Sequence, residues 1–393
     1  KSVSADCISD LKPMTDGIVP IPVEERQGRV EKARKLMAEN QVDAMILEPG
    51  SSLFYFTGIR WGRTERIMAA ILPVKGEIVY VCPGFEEERL RELIIMGNDV
   101  RAWEDHESPH KVVAGVLKDQ GAASARVGIE ESVRFFLFDG IRKQAPHLEL
   151  VSADPVTISC RAYKSSAEIA LMQRAMDITL EAFKISVSLL REGMSQEEFA
   201  ANSRTAHKAL GVSGEISCQF GTSTAYPHGS KKEEYLKEGD VVLMDGSCTV
   251  DGYFSDISRT IVFGQPSPRQ REVWNLEKEA QAAVFAAAQL GTPCGQVDAA
   301  ARKVITDAGL GPGYKVPGLP HRTGHGIGLD IHEWYPIVQG SQTPLLPGMC
   351  FSDEPMIAIY GEFGVRLEDC IYMAEDGPRF FTQPSPSITQ PFA

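Results

Sequence analysis

Four carboxylates and one imidazole in the second half of the chain have the types and spacing of a metal centre: Asp245, Asp256, His325, Glu354 and Glu368. Asp245 and Asp256 lie eleven residues apart in VVLMDGSCTVDGYFSDISRT, residues 241–260. Asp251-Gly252 separates two runs of β-formers, a signal for a two-residue hairpin turn. Pairing Val250 with Tyr253 then sets the register by counting. Asp245 falls opposite Ser258, and Asp256 becomes its diagonal neighbour on the same face. Diagonal neighbours are roughly 7–8 Å apart at the backbone, close enough for two carboxylates to converge on one ion. Two strand aspartates could merely solubilise a strand, but aspartate is disfavoured there. Glu354, in FSDEPMI, and Glu368, in GVRLEDC, flank a Gly361–Gly364 turn almost symmetrically, so a second hairpin would bring them side by side. His325 stands in TGHGIGLDIHE.

Such a donor set is hard and oxygen-rich, and its four negative charges balance two divalent cations. It suits Mn²⁺, Co²⁺, Fe²⁺ or Zn²⁺ better than an ion that prefers thiolates. Two metals about 3.5–4 Å apart can share a hydroxide, lower its pKa and hold a carbonyl for attack.

The elements that must position these residues fall into two parts. With 393 residues the chain is long for one core, and two domains are expected. From Val23 to about residue 158, helical and strand-like runs alternate: VEERQGRVEKARKLMAEN as a helix, then SLFYFTG, IMAAILP and EIVYVCP as strands, with further helices and strands to follow. That alternation makes an α/β domain. After Cys160 the pattern changes. Ser165/Glu168 and Ser195/Glu198 have capping-box spacing and start two helices. Strands, two more helices near 267–290 and 296–308, and a β-rich part from His325 to Phe381 follow, with a proline-containing tail at the end.

Composition narrows the function classes. A formal charge of −13 argues against a nucleic-acid groove or an anionic membrane surface. No apolar run reaches the roughly 20 residues of a membrane span. Eight cysteines without CxxC spacing read as buried thiols in a reducing, cytoplasmic compartment. Because the sequence starts at Lys1, export after removal of a signal stays open.

The ligand order Asp, Asp, His, Glu, Glu, the Asp245-to-Asp256 spacing and the run GHGIGLDIHE resemble the pita-bread metallopeptidases, the family of Xaa-Pro dipeptidases (prolidases), aminopeptidase P and methionine aminopeptidases. The resemblance covers about residues 160–381. The N-terminal part is similar to the domain carried by the prolidase, aminopeptidase P and creatinase branch. The resemblance implies an α/β N-terminal creatinase-like domain over 1–158 and an α+β pita-bread (creatinase/aminopeptidase-like) catalytic domain over 159–393. It further implies two divalent ions per chain (Mn²⁺ first, Zn²⁺ or Co²⁺ as alternatives), a small peptide substrate and a homodimer. The implied reaction is hydrolysis of the Xaa-Pro imide bond in dipeptides by a hydroxide that the two metals activate. Alternatives are aminopeptidase P acting on longer peptides, a non-catalytic pita-bread binding protein, and a creatinase-type amidinohydrolase. The intact ligand set argues against the last two.

The same resemblance assigns roles to further residues. His228, in AYPHGS, matches a histidine near the leaving side of the substrate. His332, in DIHE, matches one that contacts the scissile carbonyl and its oxyanion. His321 matches a pocket-lining histidine of aminopeptidase P. Arg366 matches an arginine near the site, with an ion-pair role for neighbouring carboxylates as the alternative. Glu354 takes the place of the proton shuttle. His106, His110, His147 and His207 lie outside the motifs and read as ordinary surface or helix residues. Two positions depart from the pattern. Glu354-Pro355-Met356-Ile357-Ala358 replaces Glu-Pro-Gly-(Ile/Leu)-Tyr, and Cys248 stands where some dipeptidases have tyrosine. The catalytic domain thus reads as short of cations for a substrate carboxylate. The loop Arg60–Arg66 supplies three, and Arg63 is the first candidate, acting across a dimer interface.

Overall fold

The computed structural model describes residues 6–121 and 126–393. The chain divides into two compact units, one over Ile21–Arg161 and the other from Ala162 to the C-terminus together with the segment up to Pro20.

The first unit is built on a six-stranded sheet of order β4-β3-β2-β1-β5-β6, with β1 Ala44–Leu47, β2 Ala69–Pro73, β3 Val79–Pro83, β4 Asp99–Trp103, β5 Arg126–Ile129 and β6 Glu149–Ser152. β2 runs antiparallel to both neighbours, and the remaining pairs are parallel. β1, β2 and β3 are buried throughout. Strands covered on both faces read as continuous apolar runs, which is why they show no alternation. Ile46, Ile71, Val81 and Val127 pack with Val116, Leu117 and Ile141 from the helices.

One expected strand is a helix. SLFYFTG folds as a helix over Ser51–Thr57, ended by Gly58 at φ 75°, whose N–H donates to the Phe54 carbonyl at 2.8 Å. Arg26 donates to the carbonyls of Phe54 and Tyr55, covering the open end of that helix. A short run with four consecutive apolar residues, LFYF, has no period by which strand and helix can be told apart.

The second unit carries a sheet of order β10-β8-β7 with β9 alongside β8, where β7 is Gly214–Phe220, β8 Val241–Val250, β9 Tyr253–Phe254 and β10 Ile257–Val262. A five-stranded sheet of order β12-β11-β13-β16-β17 and the hairpin β14–β15 complete it. These strands are β11 Gly324–Gly326, β12 Glu333–Ile337, β13 Cys350–Asp353, β14 Met356–Ile359, β15 Phe363–Arg366, β16 Asp369–Ala374 and β17 Gly377–Phe380. Both expected capping boxes are formed, starting helices Ser166–Ser188 and Gln196–Ala209. A third, Ser267 with Gln270, starts Pro268–Ala287. The core joins Leu243 and Val262 to Trp274, Val284, Phe351, Ile357 and Ile371.

The domain boundary differs from the expected 158/159. The helix Asp154–Arg161 belongs to the first unit, where Arg161 donates to Ser52 Oγ at 3.0 Å. The N-terminal segment belongs to the second. Met14 N–H donates to the Leu210 carbonyl at 2.9 Å, and Arg174 holds the carbonyls of Met14 and Asp16. The C-terminal tail is anchored too, with Ile388 in the core. Among the described residues, no helix is long and apolar enough to cross a membrane, and the seven described cysteines are buried free thiols.

Candidate metal centre

The first hairpin has the counted register. Val250 pairs with Tyr253, Asp245 faces Ser258, and the turn residues Asp251 and Gly252 have φ of 47° and 84°. Positive φ at both central positions is what a type I′ turn needs. Between β9 and β10 the ladder opens, and Ser255 Oγ accepts the Cys248 N–H at 2.8 Å. Asp256 stands in that opening, 5% exposed.

The second hairpin follows the same logic. Met356 pairs with Arg366 and Ile359 with Phe363, so the register continued outward aligns Glu354 with Glu368. The two hairpins are joined directly. Ser258 and Glu368 exchange both backbone hydrogen bonds at 3.1 and 3.2 Å, and Ser258 Oγ donates to Glu368 Oε1 at 2.8 Å. His325 arrives on β11 between two glycines that admit no side chain. A Cβ at Gly324 would lie 1.9 Å from the Ser352 carbonyl oxygen, and one at Gly326 2.1 Å from that of Trp334.

Three groups of donors result: Asp245, Asp256 and Glu368; His325, Glu354 and Glu368; and Asp256, His325 and His332. Within each group the ligand atoms lie within 4.8 Å of one another. His325 Nε2 is 2.9 Å from Glu354 Oε1, 3.3 Å from Asp256 Oδ2 and 4.0 Å from Glu368 Oε2. Its Nδ1 lies 2.8 Å from the Gly326 carbonyl. That bond orients the ring and turns Nε2 toward the carboxylates. A ring nitrogen facing carboxylates needs a proton or a metal cation between them. Nε2 of His325 and Oε2 of Glu368 are buried without a hydrogen-bond partner, as ligand atoms awaiting a cation would be.

The electrostatics agree. Burial and the Asp245 charge push Asp256 up to about 7. Burial, with Asp256 next, raises Glu368 well above the usual carboxylate range. Burial disfavours the His325 imidazolium, but Asp256 and Glu354 outweigh it and hold the ring at about 10. Burial also works against the Glu354 carboxylate, yet His325 prevails and brings it down to about 2. Without cations the cluster retains protons, and divalent ions would displace them. The donor set fits two hard or borderline ions.

A cleft of about 280 Å³ opens onto these side chains, and His228, His321, His332 and Arg366 line it. The His332 ring lies 4.0 Å from that of His325. Partial burial and the His325 charge lower it to about 4, so at neutral pH it is an uncharged N–H donor. His321 is lowered mainly by burial, with its Nδ1 2.6 Å from the Arg322 carbonyl. Arg366 donates to Asp245 Oδ2 at 2.9 Å, Ser258 Oγ at 3.1 Å and the Pro227 carbonyl at 3.2 Å. Its donors therefore orient Asp245 and tie strand β10 to the loop that carries Pro227. Arg63 belongs to the other unit, where it donates to the Pro49 carbonyl at 2.5 Å and Ser132 Oγ at 3.1 Å.

Sequence reasoning passed over Arg322, which lines the cleft beside His321 and corrects the impression that the catalytic unit lacks a cation there. Its signal was only adjacency to a motif histidine. His207 is fully buried in its helix. Cys248 is a buried thiol against Thr179 Oγ1 at 3.2 Å, and burial raises its pKa. Met356 and Ala358, which depart from the family pattern, are both fully buried in the core.

Residues 170–375 match the model of metallopeptidase family M24, and residues 29–163 match the creatinase/prolidase N-terminal domain. The chain belongs to metallopeptidase family M24. Its architecture is accordingly the creatinase-type α/β domain followed by a pita-bread catalytic domain. It is 32% identical to the Xaa-Pro dipeptidase of Lactobacillus helveticus over 361 residues, 90% of this chain and 96% of that protein. Among solved structures it is similar to the prolidase of Thermococcus sibiricus, with TM-score 0.83, 30% identity and coverage of 91% of this chain and 96% of that one. It is also similar to the dipeptidase PepE of Mycobacterium ulcerans, with TM-score 0.84, 31% identity and 93% and 97% coverage.

Proposed function

We propose that this M24 enzyme is a metal-dependent Xaa-Pro dipeptidase working through a dinuclear centre. The observation that carries the reading is His325 Nε2, buried among Asp256, Glu354 and Glu368, in a chain whose relatives include named Xaa-Pro dipeptidases over nearly their full length. Asp245, Asp256, His325, Glu354 and Glu368 would hold the ions, Mn²⁺ being the best match to four carboxylates and one imidazole. When bound, such a pair of ions acidifies a water and polarises the scissile carbonyl.

The side chains supply the rest. Glu354, 16% exposed at the cleft, is the carboxylate placed to take the water's proton and pass it to the imide nitrogen. His332, neutral and at the cleft, donates its N–H to the oxygen on which negative charge develops. His228 and His321 line the same cleft, and we assign both to substrate, His228 on the leaving side. Arg366 holds Asp245 in its ligating orientation.

We infer further that the chain acts in the cytoplasm, supported by its free thiols, and as a homodimer. Exposed Phe85 and Phe135, at 67% and 72%, offer apolar surface for association. In that dimer Arg63 is the candidate for the substrate carboxylate. The decisive assay compares Ala-Pro with Ala-Pro-Ala after chelation and again after addition of Mn²⁺. Metal-restored cleavage of Ala-Pro with little of the tripeptide supports the proposal; preference for the tripeptide assigns an aminopeptidase instead.

A further inference from the structure

Beside the cleft, Lys164 Nζ and Glu333 Oε2 meet at 2.8 Å, each side chain 1% exposed. Removing two charges from water is costly, and an apolar pair of equal volume is often at least as stable. Such a pair therefore calls for a reason beyond stability, and its neighbours supply one. Glu333 follows His332 in the chain and pairs with Gly326, next to the ligand His325. The segment 327–332 closes between those two strands. Its other carboxylate oxygen, Oε1, accepts the Asp330 N–H at 3.1 Å, so one side chain fixes both the neck and the bend of the loop. Gly328 N–H donates to the Asp330 carbonyl at 3.0 Å, and the Gly328 carbonyl accepts the Phe254 N–H at 2.9 Å, two residues before Asp256.

Two further observations point the same way. A Cβ on Gly328 would lie 2.7 Å from Lys164 Cε and 2.8 and 2.9 Å from the Glu333 oxygens, so this glycine leaves room for the pair. Lys164 is itself fixed, its N–H donating to the Gly348 carbonyl at 2.8 Å immediately before a capped helix begins. The His332 ring, by contrast, is exposed. Its described contact is the His325 ring at 4.0 Å, with no hydrogen bond of its own. Where that ring sits is decided by its backbone, and the backbone is decided by Glu333.

We propose that Lys164 and Glu333 are positioning residues for His332, holding the 327–332 loop so that the imidazole meets the developing oxyanion. This rests on the reading of His332 as the oxyanion donor. The test measures kcat and KM on Ala-Pro, bound Mn²⁺ and Tm for Lys164→Met/Glu333→Leu, for His332→Ala and for the combined variant. The matched double replacement leaves no unpaired buried charge, so Tm and metal content should stay near the parent. KM should hold while kcat falls about 10- to 100-fold, as expected for a misplaced catalytic group. In the His332→Ala background the same replacement should change kcat by less than about threefold, because both act through one ring. Parental kcat in the double variant would make the pair merely structural. A full additional fall in the His332→Ala background would show that it acts by another route. Unchanged kcat in His332→Ala alone would remove the oxyanion reading and this inference with it. Should the double variant not fold, Gly328→Ala, which presses on both partners at ordinary φ, is measured in its place against the same two outcomes.

Discussion

Arg259 ties the two hairpins together beneath the proposed metal centre, and its removal tests that architecture. It is fully buried against a fully buried Asp369, with Nη2 2.8 Å from Oδ1. The same guanidinium donates to the carbonyls of Ser258 and Glu368 at 3.0 Å each and of Gln383 at 3.1 Å. Arg259→Met would strand the Asp369 charge, although Gln281 Nε2 at 2.8 Å and Thr382 Oγ1 at 2.6 Å remain on it. Removing one partner of a buried pair costs about 3–5 kcal/mol. The two surviving donors favour the lower half of that range, and the carbonyls left without a donor push it back up, so about 4 kcal/mol is expected. For a unit of this size about 1 kcal/mol moves Tm by roughly 2–4 °C, which predicts a fall of roughly 8–16 °C. Thermal unfolding is to be followed with and without Mn²⁺. The Mn²⁺-induced rise in Tm should shrink as well, because Glu368 loses the anchor on its own carbonyl. Replacing both partners, Arg259→Met with Asp369→Leu, should recover most of the loss. A fall below about 3 °C in the single variant would refute the assignment of Arg259 as the clamp between the hairpins.

Two further outcomes follow from the site. Asp256→Ala should abolish Ala-Pro hydrolysis and bring bound metal well below two ions per chain while circular dichroism stays native; full activity would exclude a dinuclear centre. Arg63→Met, assayed on Ala-Pro and on its C-terminal amide, should raise KM for the acid alone if Arg63 receives the carboxylate, whereas equal effects on both substrates would restrict Arg63 to its bonds with Pro49 and Ser132.

Local chemistry alone determined a good deal of this protein. Asp251-Gly252 selects a tight turn, and strand pairing has a strict period of two, so counting outward placed Asp245 against Ser258. The same counting about the Gly361 turn aligned Glu354 with Glu368. Capping boxes at Ser165 and Ser195 marked helix starts for an equally local reason, since each is satisfied within four residues. What only the tertiary structure decided is whatever depends on residues remote in sequence. The helix Ser51–Thr57 is one case: burial of both faces erases its period, and a distant arginine, Arg26, closes its end. The segment around Met14 joins the catalytic unit through Leu210 and Arg174, which no pattern within the segment could announce. Arg366 reaches Asp245 across 121 residues and Lys164 reaches Glu333 across 169. A residue's type says which bonds it can make, but the partner that takes them is chosen by packing, and packing is set by contacts that a local pattern does not contain.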